Sequence, residues 1–399
     1  MSQDNGNGFH ELFELMLEKG ASDLHLRVPS PPVLRIDGVL TLMRDLPPIT
    51  EKDIEQLLEH VVTLEQMNVF IEEMELDFAY SVPGLARFRG NALRQRGTTS
   101  LSFRFVPYDV PSIDDLGLPQ IYKNLILKRK GLILITGPSG SGKSTTLAAM
   151  INHLNENAER NIITIEDPIE YLHSNKRCLI AQRDLRDDTK SFSTALRHAL
   201  RHDPDVIVIG EIRDLETVST AVTAAETGHL VVGTLHTVDA IQSINRLIDI
   251  FPYGHQQQIS FQLSQVIEAI LSQTLLRRIG GGRVAACEIM VGNSAIRSMI
   301  REDRLLELPR NMEVSSKEEG MQTMDQALAD LVRRDVVTLE EAMTKSNNPV
   351  KLKQSFQLDP FNSLFSTEND KTDSGVENKL SQRSMLQQPE GKTILTCPQ

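Results

Sequence analysis

The run GPSGSGKST at positions 137–145 sets glycines, hydroxyls and one lysine in the order that wraps a chain around phosphate. Gly137, Pro138, Ser139, Gly140, Ser141, Gly142, Lys143, Ser144 and Thr145 satisfy the G-x-x-x-x-G-K-[ST] pattern. In such a loop the glycines let backbone N–H groups close on the phosphates. Lys143 then reaches the β- and γ-phosphates of ATP as a point charge, and the Ser144 hydroxyl is placed to bind Mg2+. The apolar run LILIT precedes the motif and the helix-like TTLAAMINHL follows it, a setting that a chance glycine-rich turn lacks.

Phosphate chemistry needs acids beside the loop, to hold the metal's waters or to activate the attacking water. DVIVIGE supplies Glu211, one residue beyond the position where an aspartate usually ends the strand, so its longer side chain is expected to hold magnesium through water. IEDPIE offers Glu166, Asp167 and Glu170 at the end of another apolar run. With two acidic clusters on strand ends, one can serve the metal and the other the nucleophile. GTLHT ends a further run with His236, a candidate γ-phosphate sensor, and ETGHL places His229 seven residues earlier. Together these residues describe a magnesium-dependent nucleotide hydrolase.

The elements that must carry them follow from periodicity. From about Leu125, apolar runs (LILIT, IITIE, DVIVIG, LVVGTL) alternate with helical stretches, the pattern of a doubly wound, mainly parallel sheet. Residues 1–108 read differently, as a small α+β domain. It opens with a helix whose apolar face is Phe9, Leu12, Phe13, Met16 and Leu17. An alternating strand SDLHLRV, an Asp37-Gly38 hairpin turn and a helix capped by Thr50 with Asp53 come next. The strand-like runs ELDFAYSV, ARFRGNALRQ and TSLSFRFV complete it. A proline-bearing linker at 109–114, with a hinge near Pro107–Pro111, leads to the core at 115–348, and the polar, aperiodic residues 349–399 are expected to be a disordered tail.

The 399 residues carry a formal charge of -12, which disfavours a large nucleic-acid footprint. Cys178, Cys287 and Cys397 lack metal-ligand spacing, and MSQDNGNG has no export signal, so a cytoplasmic protein with reduced thiols is expected. No window approaches the ~20 apolar residues that cross a bilayer, so membrane association should be peripheral only.

GPSGSGKST, TIEDPIE, GEIRD and AAETGHLVVGTLHT together resemble the type II/type IV secretion ATPases. GASDLHLR, GLARFRGNAL, IGGGRVAACEI and GMQTMDQAL extend the resemblance over about residues 9–345. The pilus-extension and secretion branches usually carry paired CxxC motifs and an extra N-terminal domain, which are absent here, and AIRSMIRE matches the retraction branch. The resemblance implies a PAS-like N-terminal domain, a RecA-like P-loop core and a homohexamer with ATP at its interfaces. It implies a motor that powers type IV pilus retraction at an inner-membrane platform protein, the alternatives being an accessory retraction motor or an extension or secretion ATPase.

By the same resemblance Glu170 is the general base, Glu211 the Walker B acid, and His229 and His236 the histidine box. Arg89 and Arg104 are N-terminal-domain arginines that close over the nucleotide's phosphates. Alternation is compatible with that, since Arg104 lies opposite the apolar face of Leu101, Phe103 and Phe105. Ala295, Ile296, Arg297, Ile300 and Arg301 form the segment associated with retraction. At helical spacing its isoleucines make an apolar strip and Arg297, Arg301 and Arg304 a basic one.

Overall fold

A computed structural model describes residues 7–36, 38–82, 85–106, 109–185, 187–315 and 319–357. The chain builds two sheets. The first is antiparallel, in the order β3-β2-β1-β6-β5-β4, from β1 (Asp23–Arg27), β2 (Val33–Ile36), β3 (Val39–Leu42), β4 (Glu75–Val82), β5 (Ala86–Gln95) and β6 (Thr98–Val106). Alternation sends Leu24, Leu26, Phe88, Leu101 and Phe103 into one core with Phe13 and Met16 of α1 (Asn7–Glu18) and Leu57 of α2 (Glu51–Val61).

Local signals in this half are realised closely. Ile36 pairs with Val39 across a two-residue turn in which Gly38 takes φ +82°, while Asp37 lies outside the described residues. Thr50 and Asp53 form a reciprocal capping box at the start of α2, and Thr63 caps α3 (Leu64–Glu73) in the same way with Gln66. On the sheet face away from the core, Arg104 is the register partner of both Asp23 and Arg89.

The second sheet contains β7 (Gly131–Thr136), β8 (Asn161–Glu166), β9 (Leu179–Asp184), β10 (Val206–Ile209), β11 (Leu230–Leu235), β12 (Ile267–Arg277) and β13 (Arg283–Val291), in the order β13-β12-β7-β11-β10-β8-β9. All neighbours are parallel except the β12/β13 pair. The four apolar runs read from the sequence are β7, β8, β10 and β11; the reading had not placed β9, β12 or β13. The helices are α4 (Ile121–Ile126), α5 (Lys143–Asn157), α6 (Phe192–Ala199), α7 (Leu215–Glu226), α8 (Ala240–Asp249), α9 (Gln256–Val266), α10 (Ser294–Arg301), α11 (Leu308–Val314), α12 (Met324–Arg333), α13 (Leu339–Met343) and α14 (Pro349–Gln357).

Successive residues of β7 and β10 feed two separate cores, one shared with α4 and α5 and the other with α6 to α9, which is why these strands are apolar without alternation. After β7 the chain crosses over two strand positions to β8, while β11 and β12 return on either side of β7. Such a divergence opens a crevice at the carboxyl end of the strand, where β7 delivers Gly137.

Two boundaries differ from the expected ones. Ile113 is 1% exposed and packs with Leu118 and Tyr122, and Ser112 and Asp115 exchange hydrogen bonds, so the core begins inside the expected linker 109–114. Pro107 and Tyr108, part of the expected hinge, lie outside the described residues. The expected tail also starts too early. Residues 349–357 form α14, whose Leu352 and Phe356 are buried against α12 and α13, with Arg333 over the Phe356 ring and Lys351 paired to Glu313. The remainder of the tail, 358–399, lies outside the described residues. Among the described residues no helix is long and apolar enough to cross a membrane.

Candidate active site

The loop between β7 and α5 depends on glycine at its first position. Gly137 has φ +144°, and a Cβ there would fall 2.3 Å from the Gln273 carbonyl oxygen of β12. At the other end Gly142 takes φ +88° and hands the chain to α5, whose first residues are Lys143 and Ser144. The helix N-terminus therefore faces the cleft with free N–H groups and a favourable dipole for anions. Lys143 Nζ donates to the carbonyls of Gly137 (2.7 Å) and Pro138 (3.1 Å) and lies 3.5 Å from His236 Nδ1.

A cleft of ≈ 220 Å³ opens over this loop. Ser139, Gly140, Lys143 and Ser144 line it together with Glu166, Asp167, Glu170, Glu211 and His236. Thus the acids and the histidine at the ends of β8, β10 and β11 converge on the phosphate loop, although they are far apart in sequence. Thr145 and Tyr171 hydroxyls meet at 3.1 Å, tying α5 to the segment that carries Glu170.

The carboxylates are not equivalent. Glu166 accepts from the Thr164 hydroxyl at 2.6 Å and the Gln182 amide at 3.1 Å, and burial raises its carboxyl against those bonds. Glu211 faces His236 Nε2 at 3.3 Å and Arg213 at 2.5 Å. Burial pushes the Glu211 carboxyl up, but the Arg213 hydrogen bond and the His236 charge outweigh it, and the group sits below the usual range. Burial lowers the Lys143 ammonium, with the Glu211 charge acting against it. Glu170 is half-exposed at the cleft, with Arg89 Nη1 at 3.8 Å.

Hard oxygen donors suit magnesium, which keeps waters and binds one or two carboxylates plus phosphate rather than an all-protein cage. Ser144 and the ionised Glu211 fit that requirement. Among the described residues no cluster of three His, Cys, Asp or Glu side chains could hold a metal alone.

Three expected nucleotide contacts lie outside this cleft within one subunit. His229 precedes β11 and His236 follows it, which separates them by roughly 20 Å at the rise of a strand. His229 Nδ1 donates to the Ala224 carbonyl at 2.9 Å, at the end of β11 away from this cleft. Arg89 lines a neighbouring cleft of ≈ 290 Å³ between the two sheets, with Arg87, Asp184 and Arg213. Arg104 Nε is held by the buried Asp23 at 2.8 Å. Both arginines do share one sheet face, because Arg89 of β5 is the register partner of Arg104 of β6.

The α10 segment packs its apolar strip on the core as expected, and its basic strip departs from expectation. Ile296 and Ile300 are buried in the core, so they anchor the helix and offer no surface to a partner; Ala295 is half-buried. Arg297 is not part of a free basic strip. Its guanidinium donates to the carbonyls of Gly292 (2.7 Å), Ser264 (3.1 Å) and Gln265, and pairs with Glu268 at 2.8 Å. Among the described residues Arg301 is exposed and bonded only to Ser298 and Glu302 on its own helix end, and Arg304 pairs with Glu302 and Glu307. Arg297→Ala is therefore expected to destabilise the fold by about 1–3 kcal/mol, since hydrogen bonds to three carbonyls and a part-buried carboxylate are lost together. Arg301→Ala should leave the melting temperature unchanged. Equal thermal unfolding of the two variants would refute the tie.

The sequence reading missed several residues that hold the site: Gln273 behind the loop, Tyr171 beside Thr145, Asp23 beneath Arg104, and the Arg87–Asp184 pair at 3.5 Å between the sheets. Each acts across a long sequence separation or an element boundary, where spacing carries no signal.

Comparison with known proteins agrees with this fold. The family described as Type II/IV secretion system protein matches residues 11–344. The chain is 45% identical to the Type IV pilus retractation ATPase PilT of Pseudomonas aeruginosa, over 85% of this chain and 98% of that protein. It is 39% identical to the Type IV pilus ATPase PilU of the same organism, over 88% and 91%. The crystal structure of the pilus retraction motor PilT with bound ADP superposes with a TM-score of 0.82 at 46% identity, covering 86% of this chain and 98% of that one.

Proposed function

The chain belongs to the Type II/IV secretion system protein family, and we propose that it is the ATPase motor that powers type IV pilus retraction. The single observation that carries this reading is the cleft itself, in which the phosphate loop, Glu170, Glu211 and His236 converge, in a chain 45% identical to a pilus retraction ATPase over 85% of its length. Nucleotide binding belongs to that reading directly. Magnesium, a ring of six subunits, and docking at an inner-membrane platform protein are the finer parts of the proposal, as is a peripheral, cytoplasmic position.

The residues divide the work as follows. The loop N–H groups and Lys143 hold the β- and γ-phosphates, and His236, within 3.5 Å of Lys143, senses whether the terminal phosphate is present. Ser144 and Glu211 would hold Mg2+, which when bound offsets phosphate charge as a Lewis acid. Glu170 accepts a proton from the attacking water. Arg89 and Arg104, on a sheet separate from the loop, supply mobile positive charge. Arg89 rests against Glu170 and Arg104 against Asp23, so moving either onto a phosphate exchanges one carboxylate partner for another anion. Closure of the two sheets around nucleotide would then be the mechanical step.

Retraction is preferred over the accessory reading because identity to PilT exceeds that to PilU, 45% against 39%. Deleting the gene and imaging the cell surface tests the proposal. Loss of a retractor leaves pili in excess and abolishes twitching, and bald cells would instead identify an extension motor. Wild-type piliation and twitching would reject any motor role in this system.

A further inference from the structure

One buried amide holds the phosphate loop from behind. Gln273 of β12 is 2% exposed, and both polar ends of its side chain meet the loop region. Its Nε2 donates to the Ser141 carbonyl at 2.6 Å, and its Oε1 accepts from the Thr146 hydroxyl at 2.9 Å. Lys143 and Ser144 lie in the chain between those two fixed points. The Gln273 backbone carbonyl also backs Gly137, since a Cβ there would come within 2.3 Å of it. β12 is itself fixed to the strand that leads into the loop: Ser272 is the register partner of Thr136, whose hydroxyl donates to it at 2.8 Å.

We propose that Gln273 is a positioning residue for nucleotide turnover, clamping the phosphate loop at Ser141 and the first turn of α5 at Thr146 so that Lys143 and Ser144 are held in register with the phosphates. The inference rests on reading the cleft as the ATP site. A trans peptide points its carbonyl and the following N–H in opposite directions. Anchoring the Ser141 carbonyl to Gln273 therefore turns the Gly142 N–H away from β12. Fixing Thr146 as well sets the direction in which α5 leaves the loop. Neither bond can be replaced by water without space behind the loop, and both Thr146 and the Gln273 side chain are buried.

A residue that only satisfies buried polar groups would change the amount of folded protein, leaving each surviving site normal. A residue that positions the loop changes the affinity of every site. The test is steady-state kinetics of Gln273→Met, which keeps the chain length and removes both hydrogen bonds. Nucleotide saturation and thermal unfolding are measured in parallel. The expected result is a fall of about 10²-fold in kcat/KM for Mg-ATP, with KM carrying the larger part, the size of effect that a misplaced binding group produces. Thr146→Val, an isosteric change that cuts one of the two bonds, should raise KM in the same direction by less. An unchanged KM in folded Gln273→Met overturns the proposal, whatever happens to kcat per mole of protein. Should Gln273→Met fail to fold, Thr146→Val decides, and a wild-type KM there overturns it equally. Lys143→Ala run alongside separates the two failures. If that variant still turns over, the ATP-site reading is wrong; if it does not, while Gln273→Met keeps its KM, only the clamp is wrong.

Discussion

Lys143→Ala is expected to lower ATP turnover by about 10³-fold or more while leaving the protein folded. The loop's glycines and N–H groups can cradle phosphate, but they carry no net charge, and a phosphoryl transfer gains most of its acceleration from charge placed where it develops. Lys143 is the loop's only cation. Its Nζ donates to the Gly137 and Pro138 carbonyls, both within the loop itself, so truncation removes few contacts between the loop and the rest of the core. His236 cannot substitute for it. That ring sits between Lys143 at 3.5 Å and Glu211 at 3.3 Å, and its Nε2 is already engaged by the carboxylate. Phosphate release in steady state, with circular dichroism to check folding, provides the measurement. Turnover within a few-fold of wild type would place the chemistry somewhere other than this loop.

How much of this was legible in the sequence depends on whether a feature is local. The phosphate loop is nine consecutive residues, so its chemistry is written in one place. β4 and β5 begin and end where the alternation begins and ends, and the Thr50 capping box needs only residues 50–53. β12 was hidden for a physical reason: IEAILSQTLLR carries apolar residues on both faces, because Ile267 and Ile270 enter the core shared with α6 to α9 while Ala269 and Leu271 enter the one shared with α4 and α5, so no period of two survives. β9 was hidden because LIAQRD is a half-exposed edge strand. α14 did carry a signal in Leu352 and Phe356, four residues apart, but the surrounding polar residues swamp it.

Within the site, residue type predicted which side chains could do chemistry, and the strand ends predicted where most of them would meet. Lys143, Ser144, Glu170, Glu211 and His236 line one cleft for that reason. His229 does not join them within one subunit, since it lies before β11 and not after it, and the parallel sheet puts those positions at opposite ends. Arg297 shows the other limit. Helical spacing assigned it to a face correctly, but it could not say that Gly292, Ser264, Gln265 and Glu268 would already consume its donors. Gln273 was beyond reach, because its partners lie 132 and 127 residues away.

Glu170→Gln is the second large effect expected, a fall in kcat of about 10²–10⁴-fold with KM for ATP little changed. Three glutamates reach the cleft, and the structure distinguishes them. Glu166 is already committed, accepting hydrogen bonds from Thr164 and Gln182, and burial raises its carboxyl against those bonds. Glu211 lies between Arg213 and His236 and is held below the usual range, so it is a weak base better suited to a cation. Glu170 has neither commitment. It is half-exposed at the cleft, with Arg89 at 3.8 Å as its ionic partner. Under the proposed closure that arginine would move to phosphate and leave the Glu170 carboxylate facing the cleft. Glutamine preserves the size and one acceptor oxygen but cannot accept the proton, so binding should survive while chemistry slows. Single-turnover hydrolysis with nucleotide-binding titration tests this. Normal hydrolysis by Glu170→Gln, with ATP instead trapped unhydrolysed on Glu211→Gln, would reverse the roles of the two acids and make Glu211 the residue that activates water.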